Sequence, residues 1–401
     1  MPLMPVRTCL ILPVLWASLA CNPPPAATTP APHPAAPDAP PSSPSPAADD
    51  AADEASRRAE LAHHVVSADR ITYSYLLLLS GPDAARLPTL ADLDKQVQAA
   101  FPRNLEDEEV SLLRGLLRER EDDVGPVAED EGRRASDLLG IEVEVFPLAP
   151  SSGPRLIDDK VLADPDLTRD LTPVERDSLR TRTSILVVRG MYRNQHAVRG
   201  LRLLQTLVRI VATNRGALVH DPDTLETVGP AVFSERRLQT SLGNIADQIP
   251  VIPFPDPQRD GMLRLATRGM RKFGSVDLEL AGLPGDLTVL QRATFFLHGL
   301  ARVLIEQGEY DRTGFAVEIP EILPVHHTDC ASAYAGRPGS LPRCKDCPEF
   351  VEIHLVERAP EPHDALGHVV ARVVAPRSVS DRPDYNHPVW AQQSLIRLFG
   401  T

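Results

Sequence analysis

Ser184-Ile185-Leu186-Val187-Val188, the stripe Ala197, Leu201, Leu204, Val208 and Val211, and then Ala217-Leu218-Val219-His220 form the stretch whose reading decides the fold. The first run is continuously apolar and rich in β-branched residues, which predicts a buried strand. The stripe falls on one face at helical spacing, which predicts an amphipathic helix. Asn214 and Gly216 stop that helix, a short strand follows, and Asp221-Pro222-Asp223 reads as a turn. The expected order is strand, helix, strand. Arg189-Gly190-Met191-Tyr192-Arg193 joins the first strand to the helix. Backbone amides at a helix start can hold phosphate, but the G-x-G-x-x-G spacing is missing, so the segment is read as an ordinary connection.

Upstream, residues 51–66 are rich in Ala, Glu and Arg and predict a helix leading into the head. Ile71-Thr72-Tyr73-Ser74-Tyr75-Leu76-Leu77-Leu78-Leu79 predicts a buried strand closed by Gly81-Pro82. Thr89, with Asp92 three residues on, is a candidate N-cap for a helix that aligns Leu90, Leu93, Val97 and Phe101. Ile141-Glu142-Val143-Glu144-Val145-Phe146 alternates apolar with acidic residues, as a half-wet strand does. The acidic clusters Glu106-Asp107-Glu108-Glu109 and Glu121-Asp122-Asp123 lack the ligand spacing of a calcium loop and read as solvated surface.

Downstream, the prolines of Gln248-Ile249-Pro250-Val251-Ile252-Pro253-Phe254 allow only an edge strand or an extended loop. Strands are expected over residues 262–267 and 276–280 about a Phe273-Gly274 turn. Asp286 caps a helix bearing Leu290, Ala293, Leu297, Ala301 and Leu304, which Gly308 should end. Two more strands, over residues 350–356 and 368–374, precede a last helix opened by Pro388. The fold class is α+β, a mixed sheet flanked by helices, in a head spanning residues 55–401 with a subdivision near 151–180.

The chain opens differently. Residues 1–20 carry Arg7, an apolar run over residues 8–16 and the small residues of Ala17-Ser18-Leu19-Ala20, which is the layout of a secretory signal peptide. Cys21 directly after it resembles the lipobox of bacterial lipoproteins, which implies cleavage before Cys21, acylation of its thiol and anchoring to a membrane. Ser18 and Leu19 depart from the residues that family prefers. The apolar run is too short for a transmembrane helix. Residues 21–54, as in Pro40-Pro41-Ser42-Ser43-Pro44-Ser45-Pro46, predict a disordered Pro/Ala/Ser tether. Asn22, not being aspartate, favours the outer membrane where that sorting rule holds.

Thr267-Arg268-Gly269-Met270, Phe273-Gly274 and Asp277-Leu278-Glu279-Leu280 resemble an uncharacterised bacterial α+β domain family with a recurring T-R-G-M-x-x-F-G-x-x-D-L-E stretch. The strand-helix-strand of residues 184–220 is similar to that family too. The likeness implies a fold and attaches no activity, although members are sometimes placed near toxin and immunity systems. Read from the residues, Gly269 and Gly274 suit turns, and Leu278 and Leu280 alternate with acids on a strand.

One constellation carries chemistry. His327 and Cys330, with Cys344 and Cys347, give two pairs at x2 spacing, a pattern that suits a structural zinc ion. The alternative is a disulfide from Cys330 to Cys344 or Cys347, as export favours oxidation. Either way the segment is a loop that staples the body. His298 lies within an apolar helix and is read as a packing histidine; His63 and His64 read as helix surface. No catalytic motif is present. A formal charge of -13 argues against nucleic-acid binding. The expected function is that of a cell-envelope lipoprotein, a tethered binding or accessory protein with an unknown protein partner and an immunity-like role as its sharper form. The alternative is an envelope enzyme, hydrolase-like, whose site is assembled from distant segments.

Overall fold

The computed structural model describes residues 66–67, 70–81, 86–105, 107–117, 140–147, 168–238, 244–310, 317–335, 350–361, 364 and 369–400. The expected signal peptide, Cys21, the tether, residues 51–65 of the expected helix, His63 and His64, the cluster at 121–123, Cys344 and Cys347 lie outside these residues. So does most of the segment near 151–180 where a subdivision is expected. Val66, the last residue of that expected helix, is in a short strand.

Chain order begins with β1 (Val66–Ser67), β2 (Arg70–Leu79), α1 (Leu90–Ala100), α2 (Glu108–Leu117), β3 (Gly140–Pro147), α3 (Pro173–Ser178), β4 (Ser184–Arg193), α4 (Ala197–Arg215), β5 (Leu218–His220), β6 (Thr227–Val228) and α5 (Pro230–Arg237). It continues through β7 (Val251–Pro255), β8 (Leu263–Thr267), β9 (Asp277–Leu283), α6 (Leu287–Tyr310), β10 (Val317–Glu318), β11 (Leu323–His326), α7 (His327–Ser332), β12 (Phe350–Glu357), β13 (Val370–Val374), α8 (Arg377–Ser380) and α9 (His387–Phe399). The α+β class holds, and the strands divide into two larger sheets and a short β1-β10 pair.

The first sheet has five antiparallel strands in the order β3-β4-β2-β5-β6. Its central pair corrects the reading of residues 189–193. They are not a connection but the second half of β4, paired residue for residue with β2 from Arg70↔Arg193 to Leu79↔Ser184. Arg189, Met191 and Arg193 alternate with the buried Gly190 and Tyr192, so the two-residue period continues past the apolar run. The strand-helix-strand unit is present in split form, because β2 lies between β4 and β5 and pairs antiparallel with both. Helix α4 buries Ala197, Leu201, Leu204, Val208 and Val211 as its stripe requires, and Gly216 closes it in the left-handed conformation (φ 58°). At α1 the Thr89–Asp92 capping box forms, and Leu93 and Val97 are buried.

The second sheet is mixed, six strands in the order β11-β12-β13-β9-β8-β7, with β13 and β9 the parallel neighbours. Leu265, Leu278, Leu280, Ile353, Leu355 and Val373 belong to one continuous core with Leu297, Leu300 and Leu304 of α6 and Leu395 and Leu398 of α9. That core also takes in β2, β4 and α4 of the first sheet. Helix α6 is capped by Asp286 as expected, its carboxylate accepting from Thr288 N at 2.9 Å and Val289 N at 3.1 Å, but it runs past Gly308 to Tyr310. The final helix is docked on the body through Ala391, Leu395, Leu398 and Phe399.

Both edges of the mixed sheet are short of outward donors. Arg268 N donates to Pro250 O at 3.0 Å, which sets the phase of the β7-β8 ladder and turns residues 251, 253 and 255 outward. Two of those are prolines and have no N–H. On β11 the outward positions are Pro324 and His326, and the His326 N–H is taken by Asp329 Oδ2 at 2.7 Å. Such edges resist pairing with another strand.

Candidate functional site

The T-R-G-M stretch helps to build a polar centre in the interior. After β8 ends at Thr267 the chain makes a 3-10 turn, Met270–Phe273, between two left-handed glycines, Gly269 (φ 94°) and Gly274 (φ 72°). Asp277 at the head of β9 ties the turn down: its Oδ1 accepts from Thr267 Oγ1 at 3.2 Å and from Met270 N at 3.1 Å. At Gly269 a Cβ would stand 2.9 Å from Lys272 Cε, so side-chain freedom is lost there for two reasons.

That turn sends Lys272 inward, fully buried. Its Nζ donates to Asp221 Oδ2 and to Gln248 O, each at 3.0 Å, and lies 5.3 Å from the centroid of the Tyr73 ring. Two of the ammonium's three donors are thus hydrogen-bonded, and the Tyr73 ring adds a cation–π contact. Asp221 follows β5 in the expected turn. Its Oδ1 accepts from Tyr73 Oη and from the amides of Asp223 (3.1 Å) and Thr224 (3.3 Å). Burial alone would raise the Asp221 carboxyl; Lys272 beside it, with Tyr73 and Arg237, outweighs that and holds it well below the usual carboxylate range. Burial, reinforced by Asp221, pushes the Tyr73 phenol well up.

A second layer surrounds these groups. Gln205 Nε2 donates to Tyr75 Oη and to Gln248 Oε1, each at 2.8 Å. Arg237 pairs with Glu226. Arg271 grips Asp223 through Nε (3.2 Å) and Nη2 (2.9 Å). Tyr192 Oη donates to Lys272 O at 2.7 Å. Within the same turn Leu225 adopts a left-handed backbone (φ 62°), a strained state for a leucine that its neighbours must stabilise. A narrow cleft lined by Val198, Leu201, Arg202, Gln205, Arg237 and Gln248 reaches this layer, with room for about one water molecule. Chemically the centre pairs a buried lysine with a buried carboxylate and orients both through Gln248 and Tyr73.

The second polar centre lies on the mixed sheet. Glu279, fully buried on β9, receives Arg264 Nη1 at 2.9 Å, Arg358 Nε at 2.9 Å and Arg372 Nε at 3.0 Å. Arg358 also pairs with Asp364 at 2.6 Å, and Arg264 with Glu361. The acids of β9 do alternate with leucines, but every residue of the strand is buried; burial is possible because each acid has partners.

The expected cysteine loop begins as regular structure. His326 ends β11 and His327 opens α7, which carries Cys330 into the core. The correction has a physical reason: the Asp329 side chain caps the backbone of His326, and Cys330 Sγ packs on Gly299 of α6, where an added Cβ would sit 2.5 Å from it. Burial raises the Cys330 thiol. The His327 ring lies 5.7 Å from that of Phe399. Among the described residues no group of His, Cys, Asp or Glu converges on a common point for a metal ion. His298 is buried, and both ring nitrogens are engaged. Nε2 donates to Ile249 O at 2.7 Å, which leaves Nδ1 to accept from Tyr334 Oη.

Comparison with family models, with curated proteins and with solved structures finds no match to this chain. No helix among the described residues is long and apolar enough to cross a membrane.

Proposed function

We propose that the protein is a cell-envelope lipoprotein, anchored through acylated Cys21, whose head serves as a tethered binding or accessory module. The observation that carries the proposal is the N-terminal sequence, in which a basic start, a short apolar run and Ala17-Ser18-Leu19-Ala20 stand directly before Cys21 and a proline-rich stretch. The head supports it in kind. Its buried ionisable groups, Lys272 with Asp221 and Glu279 with Arg264, Arg358 and Arg372, are matched to one another, which suits a rigid scaffold that presents a surface. An immunity-like capture of an incoming protein is the sharper form of this role. Within it, the segment of His327, Cys330, Cys344 and Cys347 acts as a staple, by zinc or by a disulfide from Cys330.

A second reading, an envelope enzyme, is favoured by one observation, the strained Leu225 turn beside Asp221 and Tyr73. Fatty-acid labelling and envelope fractionation test the main proposal. Wild type should incorporate label and sediment with membranes, and Cys21→Ser should lose both, since only the thiol can accept the first acyl chain. Equal labelling of the variant would refute the anchor. Crosslinking in intact envelopes, followed by identification of the captured species, separates a protein partner from a small substrate.

A further inference from the structure

The chain carries a formal charge of -13, yet α4 contains no aspartate or glutamate along its 19 residues. From Leu201 to Ala212 every residue of the helix is buried except Arg202, Thr206 and Arg209. Spaced by four and then three residues, these share one face. Seven residues of helix advance about 10 Å, which is the separation of the two arginines along the axis. Thr206 between them is short and turns its hydroxyl back to Arg202 O at 2.8 Å. The one strip of the middle of α4 that meets solvent is therefore two cations with a low step between.

The neighbours of α4 treat its arginines unequally. Arg199, one turn earlier, is taken by Glu108 at 2.7 Å and Glu109 at 2.8 Å from α2. Arg202 reaches the end of α5, where Nη1 donates to Arg237 O at 3.2 Å and Nη2 to Leu238 O. These neutral carbonyls fix its guanidinium beside the narrow cleft that it lines with Arg237, Gln205 and Gln248. Arg209 lies half-buried with its guanidinium 5.6 Å from the centroid of the Phe101 ring. Among the described residues no carboxylate pairs with it, and burial lowers its guanidinium with no acid to oppose the shift. A guanidinium resting on a ring keeps its edge donors for a planar acceptor arriving from outside.

We infer that this strip of α4 is a docking surface, and that its occupant is a helix of a protein partner presenting carboxylates at i and i+7 to Arg202 and Arg209. The inference rests on the binding-module reading above and names the chemistry of the partner. Two helices share the same rise, so acids seven residues apart on one match arginines seven residues apart on the other. A carboxylate edge fits the fork of a guanidinium. The cleft beside Arg202 has room for about one water molecule, and so for one carboxylate oxygen. The net charge of the head repels a long run of acids or phosphates, whereas two matched carboxylates meet the strip within a Debye length of about 8 Å.

The test titrates the purified full chain with a synthetic alanine/glutamine helix bearing glutamates at i and i+7, followed by NMR shifts of the arginine side chains. Saturable shifts are expected at Arg202 and Arg209. Replacing both glutamates of the peptide by glutamine should weaken binding about tenfold or more, as should Arg209→Met, whose stem still covers Phe101. Thr206→Glu sets an acid between the two arginines and should weaken binding as much. Arg377→Met removes an exposed arginine that pairs with Glu321 and should leave binding unchanged. No saturable binding, equal binding of the glutamine peptide, or an affinity that Arg209→Met leaves intact would each overturn the inference. Inorganic phosphate displacing the peptide at equal concentration would also overturn it, in favour of a general anion site. The comparison of the two peptides needs no variant, so it decides even where a substitution impairs folding. A Cys21→Ser variant that labels like wild type would refute the anchor and leave this measurement standing, and failure here leaves the labelling result intact.

Discussion

The two buried charge centres are built on opposite plans. Around Lys272 one cation gathers partners from three separated parts of the chain: the Asp221 turn, the carbonyl of Gln248 and the ring of Tyr73 on β2. Around Glu279 one anion gathers arginines from β8, β13 and the end of β12, all within or beside one sheet. Lys272 therefore joins the two sheets, while Glu279 ties strands that already pair and draws Glu361 and Asp364 over their face through Arg264 and Arg358. A fastener between layers should fail globally, and a clamp on one layer should fail locally.

The largest effect is expected at the first centre. Lys272→Met leaves Asp221 buried without its cation, and breaking a buried pair from one side costs about 3–5 kcal/mol. Denaturant unfolding should keep a single transition with a lower midpoint. The double variant Lys272→Met with Asp221→Asn should recover part of the loss, because the orphaned charge is gone. If the single variant melted at the wild-type midpoint, Lys272 would not be the fastener described.

At the second centre the same surgery should cost less. Glu279→Gln leaves Arg358 with Asp364 and Arg264 with Glu361, and Arg372 is partly exposed to water. A loss of about 2–3 kcal/mol is expected, below the full value for an uncompensated buried charge. Protease sensitivity or hydrogen exchange should rise first over residues 358–361, with residues 71–79 protected. Simultaneous loosening of both regions would erase the distinction between the two centres.

Much of the fold was legible because it depends on period and punctuation. The stripe of α4, the Thr89 cap and the edge placement of the proline-bearing β7 follow local signals, and each appears where the sequence puts it. The second half of β4 was not legible, since Gly190 and the arginines around it resemble a loop until β2 is seen pairing along them. The polar centres were hidden for a related reason. Lys272 looks like a surface residue within Met270-Arg271-Lys272-Phe273, and its burial depends on Asp221 and Gln248, distant in the chain. Asp277 and Glu279 gave a partial hint, as acids spaced among leucines on a strand. What no single-sequence pattern supplied was the identity of their partners.

Acidification discriminates between the centres most gently, through histidines that support only the first. His298 donates to Ile249 O, next to the Gln248 carbonyl that accepts Lys272, and His220 adjoins Asp221 with its Nδ1 2.9 Å from Thr227 Oγ1. Burial pushes both rings from their ordinary range down to about 4. The unfolded chain, whose histidines titrate near 6.5, therefore binds more protons than the folded one between about pH 6.5 and 4. Their stabilisation is fully present above 6.5 and is lost as pH falls toward 4, at about 1.4 kcal/mol per pH unit for each ring. Asp221, held low by Lys272, stays ionised in the folded protein across that window and adds slope only near its acidic end, where the unfolded carboxyl, titrating near 3.9, begins to bind a proton. Between pH 6.5 and 5.5 the unfolding free energy should thus fall by about 1–3 kcal/mol from these two rings. His298→Gln should remove roughly one ring's share of the slope. A slope unchanged in that variant would show that His298 is not buried neutral, and would detach it from the support of Lys272.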